Sequence, residues 1–161
     1  MKICSFDFIA DSNATILILG TMPGEASLRA NEYYGNPRNH FWKLLFTIWQ
    51  QPFSSDYKTK KKLLLNNHIA LWDVLQACER QGSLDSAIVK EVPNDFQTFL
   101  SAHPNITHIY FNGQKAAQYF KRYIGTDNNY TLVTLPSTSP AHAGRSLVDK
   151  TRAWRDVIVN H

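Results

Sequence analysis

Short apolar runs alternate along this chain with longer segments in which apolar residues recur every three or four positions. Four of the runs are typical of buried strands: 16–19, 69–72, 106–111 and 130–135. Helical spacing predicts helices in the other segments: from Asn39 or His40 onward, 58–67, 74–79, 93–102, 114–123 and 146–159. This order predicts an α/β fold, a three-layer α/β/α sandwich with a central, mainly parallel four-stranded sheet.

Several stretches carry weaker patterns. Residues 1–14 are interpreted as a lead-in that can hold a short helix, and residues 82–85 as a turn that starts another helix. Residues 20–39 are predicted to form one long loop, and a loop of that length in a compact domain indicates a function. Asp73 directly follows the second strand, where it either faces a site or caps the helix predicted at 74–79.

Length and charge narrow the class of protein. The chain has 161 residues without a linker, repeat or low-complexity segment, so residues 1–161 are expected to form a single domain. It carries 17 Lys and Arg against 13 Asp and Glu, a formal net charge of +4. This excess favours a polyanionic partner such as nucleic acid, although a merely basic soluble protein would show the same balance.

The two cysteines and the N-terminus indicate the compartment. Cys4 and Cys78 form no Cys-x-x-Cys pair, and two thiols are too few to hold an iron–sulfur cluster. We interpret them as buried free thiols in a reducing compartment. The N-terminus lacks the apolar core of a signal peptide, and no apolar run approaches the length of a membrane span. These features predict an intracellular, cytoplasmic protein, associated with the nucleoid if the source is bacterial.

Three predicted loops follow strands of the sheet: 20–39, 112–115 and 135–144. Because ligands bind outside the carboxyl ends of strands in α/β sheets, we expect these loops to meet at one site. The first begins Gly20-Thr21-Met22-Pro23-Gly24, which is neither a P-loop, since no Lys-Ser/Thr pair follows, nor a three-glycine dinucleotide fingerprint. The aromatic and amide residues that follow it are suited to hold a flat ring and to read its edge.

Asn39 and Asn112 are amide side chains placed for chemistry. A neutral amide is not a strong base, but it can orient a water molecule and donate to a base or a sugar. Asn39 is also a good cap for the helix that follows it. Asn112 can present a donor and an acceptor to a base edge, although turn formation by Asn112 and Gly113 explains it almost as well.

Three motifs are specific in combination. They are Gly20-Thr21-Met22-Pro23-Gly24, then Tyr33-Tyr34-Gly35-Asn36-Pro37-Arg38-Asn39-His40-Phe41-Trp42, and finally Leu135-Pro136-Ser137-Thr138-Ser139-Pro140-Ala141. Together they resemble the uracil-DNA glycosylase superfamily and, within it, the hypoxanthine-DNA glycosylase family, whose members are DNA-deoxyinosine glycosylases. The first motif alone is weakly specific, whereas the second and third together are strongly so. The resemblance spans the chain from Ile16 to about His142.

The resemblance implies roles for individual residues. Asn39 would be catalytic, and Tyr34 would stack on a base flipped out of the duplex; otherwise Tyr34 is a surface tyrosine that holds the loop. The implied substrate-binding residues are Gly20, Thr21, Met22, Pro23, Gly24, Tyr34, Asn112 and Gly113. The implied DNA-binding residues are Arg38, Ser137, Thr138, Ser139 and His142. The alternative to DNA binding by the loop from Leu135 to His142 is that it forms a rigid structural turn. The alternative for His142 is that it donates a structural hydrogen bond.

Two positions depart from the wider superfamily. Met22 occupies the position at which the mismatch-specific enzymes carry asparagine, and Leu135 the position at which many members carry histidine. These departures argue against a strict uracil enzyme. They fit the hypoxanthine family, in which catalysis shifts to Asn39.

The predicted function is a monofunctional DNA glycosylase that removes a deaminated base from double-stranded DNA in base excision repair. Hypoxanthine is the first candidate base, followed by uracil and xanthine. The protein is expected to act as a monomer, away from membranes, with no metal and no organic cofactor. No lysine nucleophile is assigned, so no lyase step is expected. The alternative is a catalytically inactive module of the same fold that binds damaged DNA or a nucleotide.

Overall fold

The computed structural model describes residues 2–126, 129–142 and 144–160. Within these ranges the chain forms seven strands, six α-helices and a 3-10 turn at Asp85–Ala87. In chain order the elements are β1 (Lys2–Cys4), β2 (Ile16–Gly20), α1 (Glu25–Ala30), α2 (Phe41–Ile48), α3 (Tyr57–Asn66), β3 (Ile69–Asp73), β4 (Leu75–Glu79), β5 (Val89–Pro93), α4 (Phe96–Ala102), β6 (His108–Asn112), α5 (Gln114–Tyr123), β7 (Thr131–Leu135) and α6 (Leu147–Val159).

The central sheet has the strand order β3-β2-β6-β7, and every neighbouring pair of strands is parallel. All of β2 is buried, because strands flank it on both sides and helices cover both faces. In the register, Gly20 lies beside Asp73, and Asn112 lies beside Leu135. The carboxyl ends of the strands therefore form one edge, and the predicted four-stranded parallel sheet is confirmed.

Two hydrophobic cores lie on the two faces of this sheet. Alternate residues of a strand point to opposite faces, so the side chains of β2 divide between the cores. Ile16 and Ile18 pack with residues of α2, α3 and α6, including the fully buried Trp154. Leu17 and Leu19 pack with residues of α4 and α5. The predicted three-layer α/β/α arrangement is confirmed.

A second sheet was absent from the sequence-based prediction: three antiparallel strands in the order β1-β4-β5. The helix predicted at 74–79 is wrong, because Leu75–Glu79 forms β4. Leu, Gln, Ala and Glu favour helices in isolation. Here β4 pairs on both sides, with β1 and with β5, and it buries Leu75, Ala77 and Cys78. Pairing between distant segments overrides the local preference.

Other local predictions also need correction. Residues 2–4 form β1 rather than a short helix, and Cys4 is exposed there, so the expectation of buried thiols holds only for Cys78. The loop predicted at 20–39 contains α1, whose N-cap Gly24 offers no side-chain hydrogen bond that would mark a helix start. None of the helices in the described residues is long and apolar enough to cross a membrane.

Candidate active site

A cavity of about 640 Å³ opens at the carboxyl edge of the central sheet. The loops that follow β2, β6 and β7 all contribute to it, and residues 83–85 add a further wall. Every residue proposed for the site from the sequence lines this cavity: Gly20, Thr21, Met22, Pro23, Gly24, Tyr34, Arg38, Asn39, Asn112, Gly113, Ser137, Thr138, Ser139 and His142. In the described ranges, no group of three or more His, Cys, Asp or Glu side chains could hold a metal ion.

Gly20 forms the floor of the cavity together with two polar side chains. A Cβ atom at Gly20 would lie 2.7 Å from Asp73 Oδ1 and 2.7 Å from the Tyr34 hydroxyl oxygen. Real Cβ atoms do not approach other atoms so closely. Only glycine, which has no Cβ atom, therefore leaves room for both polar groups beside the end of β2.

Asp73 ends β3 and lines the cavity. Because a strand and not a helix follows it, the helix-cap interpretation fails and the site-facing one remains. Its side chain is buried, and Ser5 Oγ donates a hydrogen bond to Asp73 Oδ2 at 2.7 Å. Burial raises the pKa of Asp73 to about 7, and the Asp85 charge adds to this rise. The Ser5 hydrogen bond and the Arg80 charge oppose it, so a neutral carboxyl group persists to near pH 7.

Tyr34 has a left-handed backbone conformation, with φ of 53°, which is uncommon for a residue other than glycine. Its ring stacks on that of Phe41, with the ring centroids 4.1 Å apart. The hydroxyl oxygen is buried close to Asn112 and Asp73 but has no hydrogen-bond partner among the described residues. Phe41 thus covers one face of the ring, which leaves only the other face for a stacked base. The alternative of a surface tyrosine does not hold.

Asn39 immediately precedes α2 and is half-buried at the cavity. The N-cap position of α2 is His40, so Asn39 lies one residue before the cap. Its Oδ1 still accepts a hydrogen bond from the N–H of Phe41, the first helical residue, at 2.9 Å. The side-chain NH2 group forms no hydrogen bond with a described residue. The hydrogen bond from Phe41 fixes the orientation of the amide, while the NH2 group and one oxygen lone pair stay available to a ligand or a water molecule.

Asn112, at the end of β6, and Thr138, in the loop after β7, are joined by a reciprocal pair of hydrogen bonds. The segment 135–142 that contains Thr138 is called the serine-rich wall of the cavity. Asn112 Nδ2 donates to Thr138 Oγ1 at 2.9 Å, and the Thr138 N–H donates to Asn112 Oδ1 at 2.9 Å. Thr138 is fully buried, and its carbonyl accepts a third bond from the His40 N–H at 3.0 Å. The Thr138 side chain has no exposed surface for a phosphate, which corrects the expectation of a DNA contact there. The Asn112 NH2 group donates one of its two N–H bonds to Thr138.

The other residues of the serine-rich wall are fixed by hydrogen bonds and packing contacts with their neighbours. Gly113 has φ of 96°, and a Cβ atom there would lie 3.1 Å from Ser137 Cβ, so glycine lets the two loops touch. Ser137 Oγ accepts from the Ser139 N–H at 3.1 Å, and Ser139 Oγ accepts from the Ala141 N–H at 3.2 Å. Both hydroxyl groups keep their own hydrogen for another acceptor. His142 is exposed at the rim.

The connection between β4 and β5 supplies site residues that the sequence reasoning missed. Arg80 donates from Nη2 to the Pro23 carbonyl at 2.6 Å and from Nε to the Gly82 carbonyl at 2.8 Å. Ser83 Oγ accepts from the Glu25 N–H at 2.9 Å. These hydrogen bonds attach the β4–β5 connection to the loop after β2, and we call them the Arg80 clasp. The polar turn at Gly82 was the available signal, but the false helix at 74–79 obscured its position.

Comparison with known proteins identifies the family. A family model described as "Uracil DNA glycosylase superfamily" matches residues 6–160, almost the whole chain. The chain belongs to the uracil DNA glycosylase superfamily. The resemblance found in its motifs is thus confirmed, and this superfamily member carries its motif residues around a single cavity.

Relatives of this superfamily member are known from two species of Methanosarcina. It is 37% identical over 161 residues to a protein of Methanosarcina barkeri named "Hypoxanthine DNA glycosylase", covering 98% of this chain and 99% of the relative. A protein of the same name from Methanosarcina acetivorans is 41% identical over 138 residues, covering 85% and 86%. A solution NMR structure from Methanosarcina acetivorans, described provisionally as a uracil DNA glycosylase, matches with a TM-score of 0.83 and 36% identity over 100% of both chains.

Proposed function

We propose that this chain is a DNA glycosylase that hydrolyses the N-glycosidic bond of a deaminated base, hypoxanthine first. The observation that carries the proposal is the single cavity on which Asn39, Tyr34 and the three motif loops converge. Two relatives over most of the chain length are named hypoxanthine DNA glycosylases, which supports hypoxanthine as the base. Uracil and xanthine remain further candidates.

The chemistry requires that the nucleotide leave the base stack and enter the cavity. The glycosidic bond then breaks through an oxocarbenium-like state, in which a weakly activated water molecule suffices once the departing base is stabilised. Asn39 is suited to place this water because the Phe41 N–H holds its amide in one orientation. Its free NH2 group is available to donate to the base or the sugar.

DNA binding is assigned to the rim of the cavity. Arg38 and His142 are exposed there, and the hydroxyl groups of Ser137 and Ser139 are half-buried beside them. Backbone phosphates are recognised by such cations and hydroxyl groups, and the net charge of +4 favours this polyanion. We propose double-stranded DNA as the substrate and a monomer as the acting species. The proposed reaction uses water and calls on no metal, organic cofactor or lysine nucleophile.

Excision from defined duplexes tests the proposal. Duplexes with one inosine, one uracil or one xanthine are incubated with the protein and then treated with alkali, which breaks the strand at an abasic site. We expect strand breaks at inosine that depend on alkali, because no lyase step is assigned. Tight binding to the inosine duplex without strand breaks would instead identify an inactive damaged-DNA-binding module.

A further inference from the structure

Two polar atoms at the cavity floor have unused hydrogen-bonding capacity. The Tyr34 hydroxyl is buried without a partner among the described residues. Asp73 uses Oδ2 to accept from Ser5, while its Oδ1 takes part in no hydrogen bond with a described residue. A buried polar group without a partner, such as the Tyr34 hydroxyl, destabilises the folded state. A ligand that supplies the missing partner removes this cost.

The two unused atoms lie close together beside Gly20, near enough for one acceptor atom in the cavity to reach both. Both lie 2.7 Å from the position that a Cβ atom of Gly20 would take, and both residues line the cavity. The left-handed backbone of Tyr34, with φ of 53°, aims the hydroxyl there at a cost in backbone strain. Arg80 donates from Nη2 and Nε to the Pro23 and Gly82 carbonyls, and its Nη1 has no hydrogen-bond partner among the described residues. Asp73 therefore feels the Arg80 charge without a direct hydrogen bond from it.

We propose that the carboxyl group of Asp73 and the hydroxyl group of Tyr34 together donate hydrogen bonds to the exocyclic oxygen of a flipped 6-oxopurine and so discriminate hypoxanthine from adenine. This inference rests on the proposed glycosylase function and names the part of the base that the protein reads. It places Tyr34 at the edge of the base, in place of the stacking role that the resemblance implies. A 6-oxo group accepts two hydrogen bonds, whereas the 6-amino group of adenine presents N–H groups to the same donors. Two donors beside this group therefore favour a 6-oxopurine and reject adenine, the base from which hypoxanthine forms by deamination.

The proton that Asp73 needs is consistent with its surroundings. Burial favours the neutral carboxyl group, and Asp85 is a negative charge nearby, while Arg80 is the opposing positive charge. Tyr34 and Tyr33 are the other titratable groups near Asp73, and burial raises the pKa of both, so both stay neutral donors. With Ser5 donating to Oδ2, the proton of the neutral acid belongs on Oδ1, the oxygen beside Gly20. As negative charge develops on the departing purine, hydrogen bonds to its oxygen strengthen, so the same contact accelerates cleavage.

Single-turnover excision tests the pair, with inosine as substrate and a purine without a 6-substituent (2′-deoxynebularine) as reference. Tyr34→Phe keeps the ring on Phe41 and removes only the hydroxyl group. It is expected to lower the inosine rate roughly tenfold and leave the reference rate unchanged. Tyr110→Phe is the matched control, because it removes a buried hydroxyl group that bonds Val157 outside the cavity.

Asp73 is tested with two substitutions. Asp73→Asn places an NH2 donor near the Oδ1 position, so it should keep the inosine rate within roughly threefold and remove its pH dependence. The wild-type rate should fall as the pH rises from about 6 to about 9, since the donor proton is lost. Asp73→Ala should lower the inosine rate by roughly tenfold or more while sparing the reference. Asp156→Asn, at an exposed position on α6, is the control.

The possible outcomes distinguish a failure of this inference from a failure of the proposed glycosylase function. Inosine excision by the wild type, with an inosine-to-reference ratio unchanged by Tyr34→Phe and Asp73→Ala, would overturn this inference and leave the proposed function standing. A wild-type rate that rises with pH, together with an inactive Asp73→Asn, would show an accepting carboxylate and also overturn it. No excision of inosine by the wild type would overturn both. If Asp73→Ala does not fold, Tyr34→Phe and the pH profile of Asp73→Asn decide.

Discussion

The floor and the serine-rich wall of the cavity use their polar groups in opposite ways. In the wall, the Asn112 amide and the Thr138 backbone and hydroxyl satisfy each other, so the loop is rigid without a ligand. At the floor, the Tyr34 hydroxyl is buried without a partner among the described residues, and Asp73 bonds Ser5 through Oδ2 alone, with Oδ1 beside Gly20. The contrast indicates where the fold supports the site and where a substrate is to complete it.

Asn39 combines both behaviours and gives the largest expected effect. Its oxygen accepts from the first N–H of α2, whereas its NH2 group forms no hydrogen bond with a described residue. Asn39→Ala is expected to lower single-turnover inosine excision at least about a hundredfold, as for the loss of other groups that act in a transition state. The loss of the hydrogen bond from the Phe41 N–H should cost only about 1 kcal/mol of stability.

The matched control for Asn39→Ala is Asn67→Ala, which removes a side chain bonded to the Leu63 carbonyl at the end of α3, away from the cavity. It should keep the wild-type rate. Near-wild-type excision by Asn39→Ala would show that Asn39 has only a structural role, through its hydrogen bond with the Phe41 N–H.

Asp73→Asn tests the floor through stability. Its folded pKa of about 7 lies above the ordinary value of 3.8, so the folded state binds this proton more tightly than the unfolded chain does. The stabilisation is full below the unfolded pKa and is lost as the pH rises through the folded pKa. Asn carries no charge to desolvate, so its advantage over Asp should grow with pH and reach on the order of a few kcal/mol at pH 8. Urea denaturation at pH 5 and pH 8 measures it, and an equal difference at both would contradict the shifted pKa.

Thr138→Val tests the wall, because valine keeps the shape of threonine but removes the hydroxyl group that accepts from Asn112. The free energy of unfolding should fall by about 1–3 kcal/mol, since a buried amide donor loses its partner. Ser137→Ala is the comparison in the same loop, where the loss should stay below about 1 kcal/mol because Ser137 is less buried. The main expected effect of Ser137→Ala is weaker binding of a duplex that contains inosine. An equal loss of stability in both variants would show that the wall is not held by the Asn112–Thr138 pair.

Arg38→Ala gives the smallest expected change. Arg38 is exposed at the rim, where a phosphate contact releases about one counterion. The slope of log affinity against log salt concentration should fall by about 1 relative to wild type. Lys121→Ala, on α5 away from the cavity, should leave the slope unchanged. If both variants change it equally, general charge rather than the rim holds the DNA.

The central sheet and the meeting of its loops at one cavity could be predicted from the sequence because both depend on local signals. Buried strands such as Ile16–Gly20 are continuous apolar runs, and the loop after each strand of a parallel sheet returns to the same edge. The antiparallel sheet escaped prediction because the strand Leu75–Glu79 is made of helix-forming residues whose partners lie far away in the chain. Asp73 was noticed but not placed, since its burial depends on Ser5, 68 positions earlier. The Arg80 clasp has the same origin: a contact with Pro23 cannot be inferred from local patterns.

The Arg80 clasp also links the fluctuations of two distant segments. The amide of Glu25 is bonded to the Ser83 hydroxyl, and the Pro23 carbonyl is bonded to Arg80, so the loop after β2 cannot open without releasing the β4–β5 connection. Segments joined in this way open as one cooperative unit in hydrogen exchange. Glu25 should therefore exchange its amide hydrogen at the rate set by the antiparallel sheet, although it belongs in sequence to the loop of the parallel one.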